Sequence, residues 1–330
     1  VEPAQLESAV RPSPRPPRKG RKLARLARQA SLRLGRRVFG QTAAVEAVTR
    51  AVKRAAAGLA SRRGPLATLL FVGPTGTGKT ELARALAEEL GGPERLVRID
   101  CSEFASAHET AKLLGAPPGY VGHEVESVLT RRLARAAGQE TVVLLDEVEK
   151  AHPKLHELLL QVLDEGRLTD GRGRTLDFTR CFVVLTSNAG SRERASARER
   201  LGFERSASLE ALTETVDSVL RRTFAPEFLA RLDEIVHFNE LGSRERNAVA
   251  TQALLDLAVR VREGERRVCF TKGVARWAAA AEELAGARAI LQRIKRELEA
   301  PLAEALLGAS EGEWIEVSIR GGRPHFRLAA

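Results

Sequence analysis

Five stretches of the chain are apolar almost without interruption: Ala67–Val72, Leu96–Asp100, Thr141–Asp146, Cys181–Thr186 and Glu234–Phe238. Short runs rich in β-branched residues, without the alternation of a half-exposed strand, predict strands covered on both faces. Between them, Leu82, Ala83, Leu86 and Leu90 in Thr80–Leu90, and Leu155, Leu158, Leu159 and Val162 in Leu155–Leu163, recur at helical spacing. Strands alternating with amphipathic helices predict an α/β architecture built on a parallel sheet. Beyond Leu241 the pattern changes. Helices are predicted over Arg244–Gly264 and Arg288–Leu307, then strands over Trp314–Arg320 and His325–Leu328. The expected organisation is a basic, Pro/Arg-rich arm over 1–36, partly disordered, a large α/β domain over 37–240, and a small α+β lid domain over 241–330.

Charge separates the arm from the rest. Residues 1–37 hold 11 Lys/Arg against 2 Glu, leaving 42 basic and 41 acidic residues elsewhere, so nearly all of the net +10 belongs to this segment. Pro12, Pro14, Pro16 and Pro17 predict an extended first half, whereas Leu23, Leu26 and Leu32 give Lys22–Leu34 helical spacing. Such an arm is read either as a solvated linker or as a contact for nucleic acid, an acidic partner or a membrane surface. The three cysteines, Cys101, Cys181 and Cys269, lack the spacing of a disulfide framework or zinc site and fit a reducing, cytoplasmic setting. The basic N-terminus has no apolar stretch behind it, so a secretory signal is not expected, and no apolar run is long enough for a transmembrane segment. Val1 in place of Met fits a non-standard start codon or a fragment equally.

The strongest chemical signal is Gly73-Pro74-Thr75-Gly76-Thr77-Gly78-Lys79-Thr80, a full GxxxxGK[ST] pattern between a predicted buried strand and an amphipathic helix. Its backbone N–H groups are expected to wrap the phosphates of ATP, with Lys79 on the β/γ charge and the Thr80 hydroxyl on Mg²⁺. Thr141–Asp146 ends in two acids, Asp146 and Glu147. Paired with the phosphate loop, Asp146 is expected to hold the metal and Glu147 to polarise an attacking water. No site for a substrate hydroxyl is apparent, which favours hydrolysis over transfer.

With these motifs stand Gly115–Gly122 (GAPPGYVG), Leu144–Pro153 (LLDEVEKAHP), Gly166–Thr175 (GRLTDGRGRT), Thr186-Ser187-Asn188, Pro226–Glu234 (PEFLARLDE) and Gly286-Ala287-Arg288. Together they resemble the Clp family of AAA+ unfoldases and disaggregases over residues 38–305 or so, in particular the second ATPase module of its ClpB and ClpC members or the single module of one-ring relatives. The resemblance implies a P-loop AAA+ module with a five-stranded parallel sheet and a small C-terminal lid. It implies that Asn188 orients water against the γ-phosphate, that Arg288 contacts nucleotide within the subunit, and that Arg231 is an arginine finger reaching a neighbour's ATP in a homo-hexamer. Val38 and Phe39 resemble the segment that packs on adenine, although Thr42-Ala43 replaces the usual acidic pair and Ala230 the usual Asn before the finger.

The resemblance also implies a pore. Gly119-Tyr120-Val121-Gly122, holding the only tyrosine, is similar to the loop that grips unfolded or aggregated protein substrates, a task suited to an amphipathic ring. Asp170–Arg174 resembles a second pore loop. Leu201-Gly202-Phe203 stands where peptidase-coupled members carry a docking tip for a peptidase ring; read without the resemblance, it is equally a helix cap with Phe203 folded back. The expected function is an ATP-driven motor that threads polypeptide, with an AAA+ ATPase directed to nucleic acid through its basic arm as the alternative.

Overall fold

In the computed structural model, the described residues are 20–61, 63–115, 127–134, 138–191, 193, 196, 209–281, 286–310 and 313–329. The chain opens with helices α1 (Gly20–Gly35) and α2 (Thr42–Ala56). Then come β1 (Ala67–Val72), α3 (Lys79–Leu90), β2 (Leu96–Asp100), α4 (Ala107–Leu114), α5 (Val128–Ala134), β3 (Thr141–Asp146) and α6 (Pro153–Glu165). A short hairpin, β4 (Arg167–Thr169) and β5 (Thr175–Asp177), precedes β6 (Cys181–Ser187), α7 (Leu209–Thr223), α8 (Pro226–Leu229) and β7 (Glu234–His237).

Strands β2-β3-β6-β1-β7 form one sheet in that order, every pairing parallel. All residues of β1, β3 and β6 are buried, which explains their unbroken apolar sequence. Successive side chains enter opposite layers. Leu70, Val72, Val143, Leu145, Val183 and Leu185 pack with α6 and with Phe224 and Phe228. Leu69, Phe71, Leu144, Phe182 and Val184 pack on the other face with α1, α2 and α3. The five strands lie where the apolar runs predicted them, β6 longer by one residue and β7 shorter by one.

Helix α1 changes the picture of the arm. Leu23, Leu26, Ala30 and Leu34 are buried in the same layer as α2 and α3, while Leu32 is 60% exposed. Arg33 bonds Glu89 at 2.6 Å, and Arg37 bonds Glu88 at 2.5 Å and Glu81 at 2.8 Å. The arm expected over 1–36 thus gives way, from Gly20 onward, to a helix docked on the sheet's cover. Counting charge alone hid this, because two of the arginines spend their charge on acids of α3.

The C-terminal part contains α9 (Ser243–Glu263), β8 (Arg267–Phe270), α10 (Lys272–Ala279), α11 (Gly286–Arg293), α12 (Ala300–Gly308), β9 (Trp314–Arg320) and β10 (Arg323–Ala329). Strand β9 pairs parallel with β8 and antiparallel with β10, around a core of Leu254, Val274, Ile290, Leu298, Ile315 and Val317. Between α11 and α12 the helix widens to π geometry over Ile294–Glu299. Pro301 has no N–H to close the bond to Glu297, which accounts for a change of ladder there. Among the described residues no helix is long and apolar enough to cross a membrane.

Candidate active site

The site forms at the C-terminal ends of three adjacent strands, β3, β6 and β1, where open parallel sheets collect their ligands. The loop after β1 enters α3 through Gly78, whose φ of +105° is costly for residues with a Cβ. A Cβ there would also stand 3.1 Å from Val38 Cγ1. No side chain caps α3, so the first-turn N–H groups are left for an anion.

Lys79, 8% exposed, donates to the carbonyls of Gly73 (2.5 Å) and Pro74 (2.9 Å) and to Asn188 Oδ1 (2.9 Å). Burial pushes its pKa down to about 8, against the pull of Glu149, Asp146 and Glu147, with Arg288 lowering it further. The lysine is bonded to carbonyls at a helix N-terminus, a place that phosphate oxygens would fit.

Asp146 ends β3 and is 7% exposed. Its Oδ1 accepts the Thr186 hydroxyl at 2.5 Å, and its Oδ2 accepts Arg98 Nη2 at 2.7 Å and Nε at 3.1 Å. Thr80 Oγ1 lies 3.5 Å from both carboxylate oxygens. Among the described residues no three His, Cys, Asp or Glu gather into a metal-binding group. One carboxylate and one hydroxyl beside a phosphate loop nonetheless suit Mg²⁺, which takes few protein ligands and completes its shell with phosphate oxygens and water.

Glu147 adopts φ 56°, ψ 49°, a left-handed conformation that costs a non-glycine residue on the order of 1–2 kcal/mol. Its N–H donates to Thr186 Oγ1 at 3.0 Å, its Oε2 accepts Lys150 Nζ at 2.5 Å, and its Oε1 accepts Asn188 Nδ2 at 3.3 Å. Asn188, just past β6, also lies with its Oδ1 3.5 Å from Thr75 Oγ1. The asparagine side chain therefore spans the gap between Lys79 and Glu147.

Arg288 is brought to the site by α11. The Ala287 N–H donates to the Gly76 carbonyl at 2.8 Å, and Gly286, at φ +55°, approaches so closely that a Cβ would lie 2.6 Å from that oxygen. Val38 is buried beside the loop and Phe39 is half-buried. Gln41 anchors their segment by exchanging bonds with Asn239 (2.7 Å to its carbonyl, 3.0 Å from its N–H).

Arg231 is not brought to this loop. Its carbonyl accepts the Thr68 hydroxyl at 3.0 Å, near the start of β1, and its half-exposed guanidinium pairs with Asp164. Val72 lies four positions beyond Thr68 along the strand, about 13 Å. Gly119, Tyr120, Val121 and Gly122, and Leu201, Gly202 and Phe203, lie outside the described residues. Asp170–Arg174 is a tight turn between β4 and β5: Asp170 accepts the N–H groups of Arg172 and Arg174 at 2.9 Å each and the Thr130 hydroxyl at 3.1 Å. Burial raises the Asp170 pKa, but these bonds outweigh it and hold the carboxyl below its ordinary value.

Three residues in the cluster escaped sequence reasoning: Arg98, Glu149 and Thr186. Arg98 carried a legible signal, a full charge inside the apolar run of β2. Thr186 and Glu149 carried none beyond lying within the stretches Thr186–Asn188 and Leu144–Pro153.

A glycine-rich loop with a buried lysine, facing two acids at the end of a neighbouring buried strand, defines a P-loop ATPase module. The AAA domain (Cdc48 subfamily) matches residues 64–235, and the chain belongs to that family. It is 44% identical over 294 residues to the chaperone protein ClpB of Meiothermus ruber, covering 88% of this chain and 33% of that protein. It is 39% identical over 297 residues to the ATP-dependent Clp protease ATP-binding subunit ClpC of Staphylococcus epidermidis, covering 87% and 35%. A closed-state reconstruction of Hsp104 with ATPγS and FITC casein superposes with a TM-score of 0.81 at 32% identity, covering 92% of this chain and 52% of that one. The chain thus spans about a third of the length of these curated relatives.

Proposed function

We propose that this chain is an ATP-hydrolysing ring motor, a homo-hexamer that unfolds or remodels proteins by threading polypeptide through a central pore. The observation that carries the hydrolytic part is the chain of contacts Lys79–Asn188–Glu147 beside Asp146. In this reading Lys79 leaves its loop carbonyls for the β- and γ-phosphates, and Thr80 and Asp146 hold Mg²⁺. When bound, the metal supplies charge neutralisation for the transferring phosphoryl group. Glu147 takes a proton from the attacking water, and Asn188 orients that water. Arg288 reads nucleotide through the contact of α11 with the loop. Val38 and Phe39 cover the base.

A ring is supported by Arg231. It lies at the opposite end of β1 from its own phosphate loop and half-exposed, so it serves a neighbour's site more readily than its own. Threading is supported by Tyr120 in Gly119–Gly122 and by the chaperones among the relatives. Delivery to a peptidase is supported by Leu201–Phe203 and by the protease subunit named above. The nucleic-acid alternative loses weight because Arg33 and Arg37 of the basic segment pair with α3.

ATP-dependent loss of fluorescence from a tagged fluorescent protein, with and without a peptidase ring, tests the reading. Unfolding that needs ATP and disappears in Tyr120→Ala, with ATP turnover kept within about twofold, is expected. Unfolding unchanged in Tyr120→Ala would remove the pore, and absence of ATP turnover in the parent chain would remove the motor.

A further inference from the structure

Glu149 sits two residues beyond Glu147, in the single helical turn Val148–Lys150 that follows β3. Its Oε1 accepts the backbone N–H of Asn188 at 3.0 Å. That bond ties the turn after β3 to the first residue beyond β6. Its Oε2 is sealed from solvent and takes no hydrogen bond among the described residues. A buried carboxylate oxygen left without a donor is costly, and natural proteins keep few of them. Here the charge is tolerated beside the Lys79 ammonium, on which Glu149 acts more strongly than Asp146 or Glu147 does.

Beyond the Glu149 bond, the Asn188 backbone carbonyl accepts the Ser191 N–H at 3.2 Å, and the side chain reaches Glu147 through its amide at 3.3 Å, accepts Lys79 at 2.9 Å and stands 3.5 Å from Thr75. The side-chain groups are the ones that must exchange partners when phosphate arrives. A side chain that has to re-pair needs a backbone that does not move, and the Glu149 bond is what ties that backbone to the turn carrying Glu147.

We propose that Glu149 is a positioning residue for ATP hydrolysis: by gripping the Asn188 N–H it fixes the end of β6, so that the Asn188 side chain meets Glu147 and the attacking water in one geometry. This rests on the role given to Asn188 above. Glu149 does not touch the reacting atoms. Its effect passes through Asn188, which separates it from Glu147, two positions earlier.

Three substitutions divide the possibilities. Glu149→Ala removes the acceptor and the charge. Glu149→Asp keeps the charge but withdraws the acceptor by one methylene. Glu149→Gln keeps an acceptor oxygen and loses the charge. In the nucleotide-free chain, amide hydrogen exchange at Asn188 should quicken at least tenfold in the Ala and Asp variants and less than threefold in Gln. In steady-state ATP turnover, Ala and Asp should lower kcat about 10- to 100-fold with KM within threefold, and Gln should recover at least a third of the parent kcat. In an Asn188→Ala background, adding Glu149→Ala should change kcat less than twofold.

Unchanged exchange at Asn188 in both Ala and Asp variants overturns the proposal. So does a Gln variant as slow as Ala, which would make the charge the operative feature, or a Glu149→Ala effect that persists undiminished without the Asn188 side chain. If the Ala variant does not fold, the Asp variant carries the same readouts. A parent chain without ATP turnover would defeat the reading in the preceding subsection, while the exchange measurement would still decide whether Glu149 fixes Asn188.

Discussion

The two ends of β1 are built on opposite plans. At its C-terminal end the polar groups turn inward: Lys79 and Asp146 are nearly sealed from solvent, and Lys79 is held by loop carbonyls alongside Asn188. At its N-terminal end they are matched locally and face out. Asp233 Oδ2 accepts both the N–H of Thr68 (2.7 Å) and its hydroxyl (3.0 Å), its Oδ1 pairs with Arg54 at 2.9 Å, and Arg231 pairs with Asp164 at the surface. One end carries a stability cost that a ligand can relieve. The other is satisfied by its own chain, with Arg54 and Arg231 both paired at the surface. A motor assembled from copies of such a module would join unlike ends, so each site would borrow what its own end lacks.

The largest effect should come from breaking the outward end. Arg231→Ala is expected to lower ATP turnover by about 10³-fold or more, the scale of an arginine finger, while leaving the thermal midpoint unchanged, since its ion pair is exposed. Mixing this variant with Glu147→Gln should restore part of the turnover, because each supplies the group the other lacks. Absence of any recovery would return Arg231 to a surface ion pair.

Glu147→Gln attacks the inward end, and a loss of about 10²- to 10⁴-fold in turnover is expected for a general base. Binding of a fluorescent ATP analogue should stay within a few-fold of the parent. Near-normal turnover would strip Glu147 of its role.

Lys79 provides a test of the stored cost. Its pKa in the fold is pushed down to about 8 by burial, whereas an unfolded chain keeps it near 10.4. Between those values the unfolded state binds the additional proton, so stability of the nucleotide-free chain should rise as pH climbs from about 8 to about 10, by something on the order of 3 kcal/mol from this group. Below pH 8 the cost is fully present. Lys79→Met should lose this component of the pH slope and most of its ATP affinity together. Urea melts at several pH values would reveal an identical slope in both chains if the buried ammonium carries no such cost.

How much of this was legible in sequence follows the same division. The five buried strands and the loop from Gly73 to Thr80 could be read directly, because burial on both faces leaves an unbroken apolar run and the phosphate loop is contiguous in the chain. The docking of α1 was visible only as the spacing of Leu23 and Leu26, and was obscured by surrounding arginines whose acid partners lie on α3. The bonds of Arg98 to Asp146 and of Glu149 to Asn188 join residues on, or just beyond, different strands, 48 and 39 positions apart. Only strand order brings such pairs together, and no local pattern encodes it. Strand β8 was missed because its burial alternates between exposed and half-buried, a weak apolar signal, and because its sheet closes only with β9.

The smallest expected effect isolates the satisfied end. Asp233 receives two bonds from Thr68 and one ion pair from Arg54, with about a third of its side chain exposed. Removing a charged acceptor from the Thr68 N–H should cost about 1.5 kcal/mol, discounted from the value for a fully buried group because water can reach the remnant. Asp233→Ala should therefore lower the urea midpoint modestly and leave binding of a fluorescent ATP analogue unchanged, since Val72, where the phosphate loop begins, lies four residues further along β1. Turnover is the finer discriminator. Arg231 is joined to Thr68 through its carbonyl, so a loosened Thr68 should slow hydrolysis in the assembled ring while leaving an isolated subunit's nucleotide affinity untouched. Loss of affinity in the isolated subunit would mean that the two ends of β1 are coupled through the strand itself, and the division drawn between them would not hold.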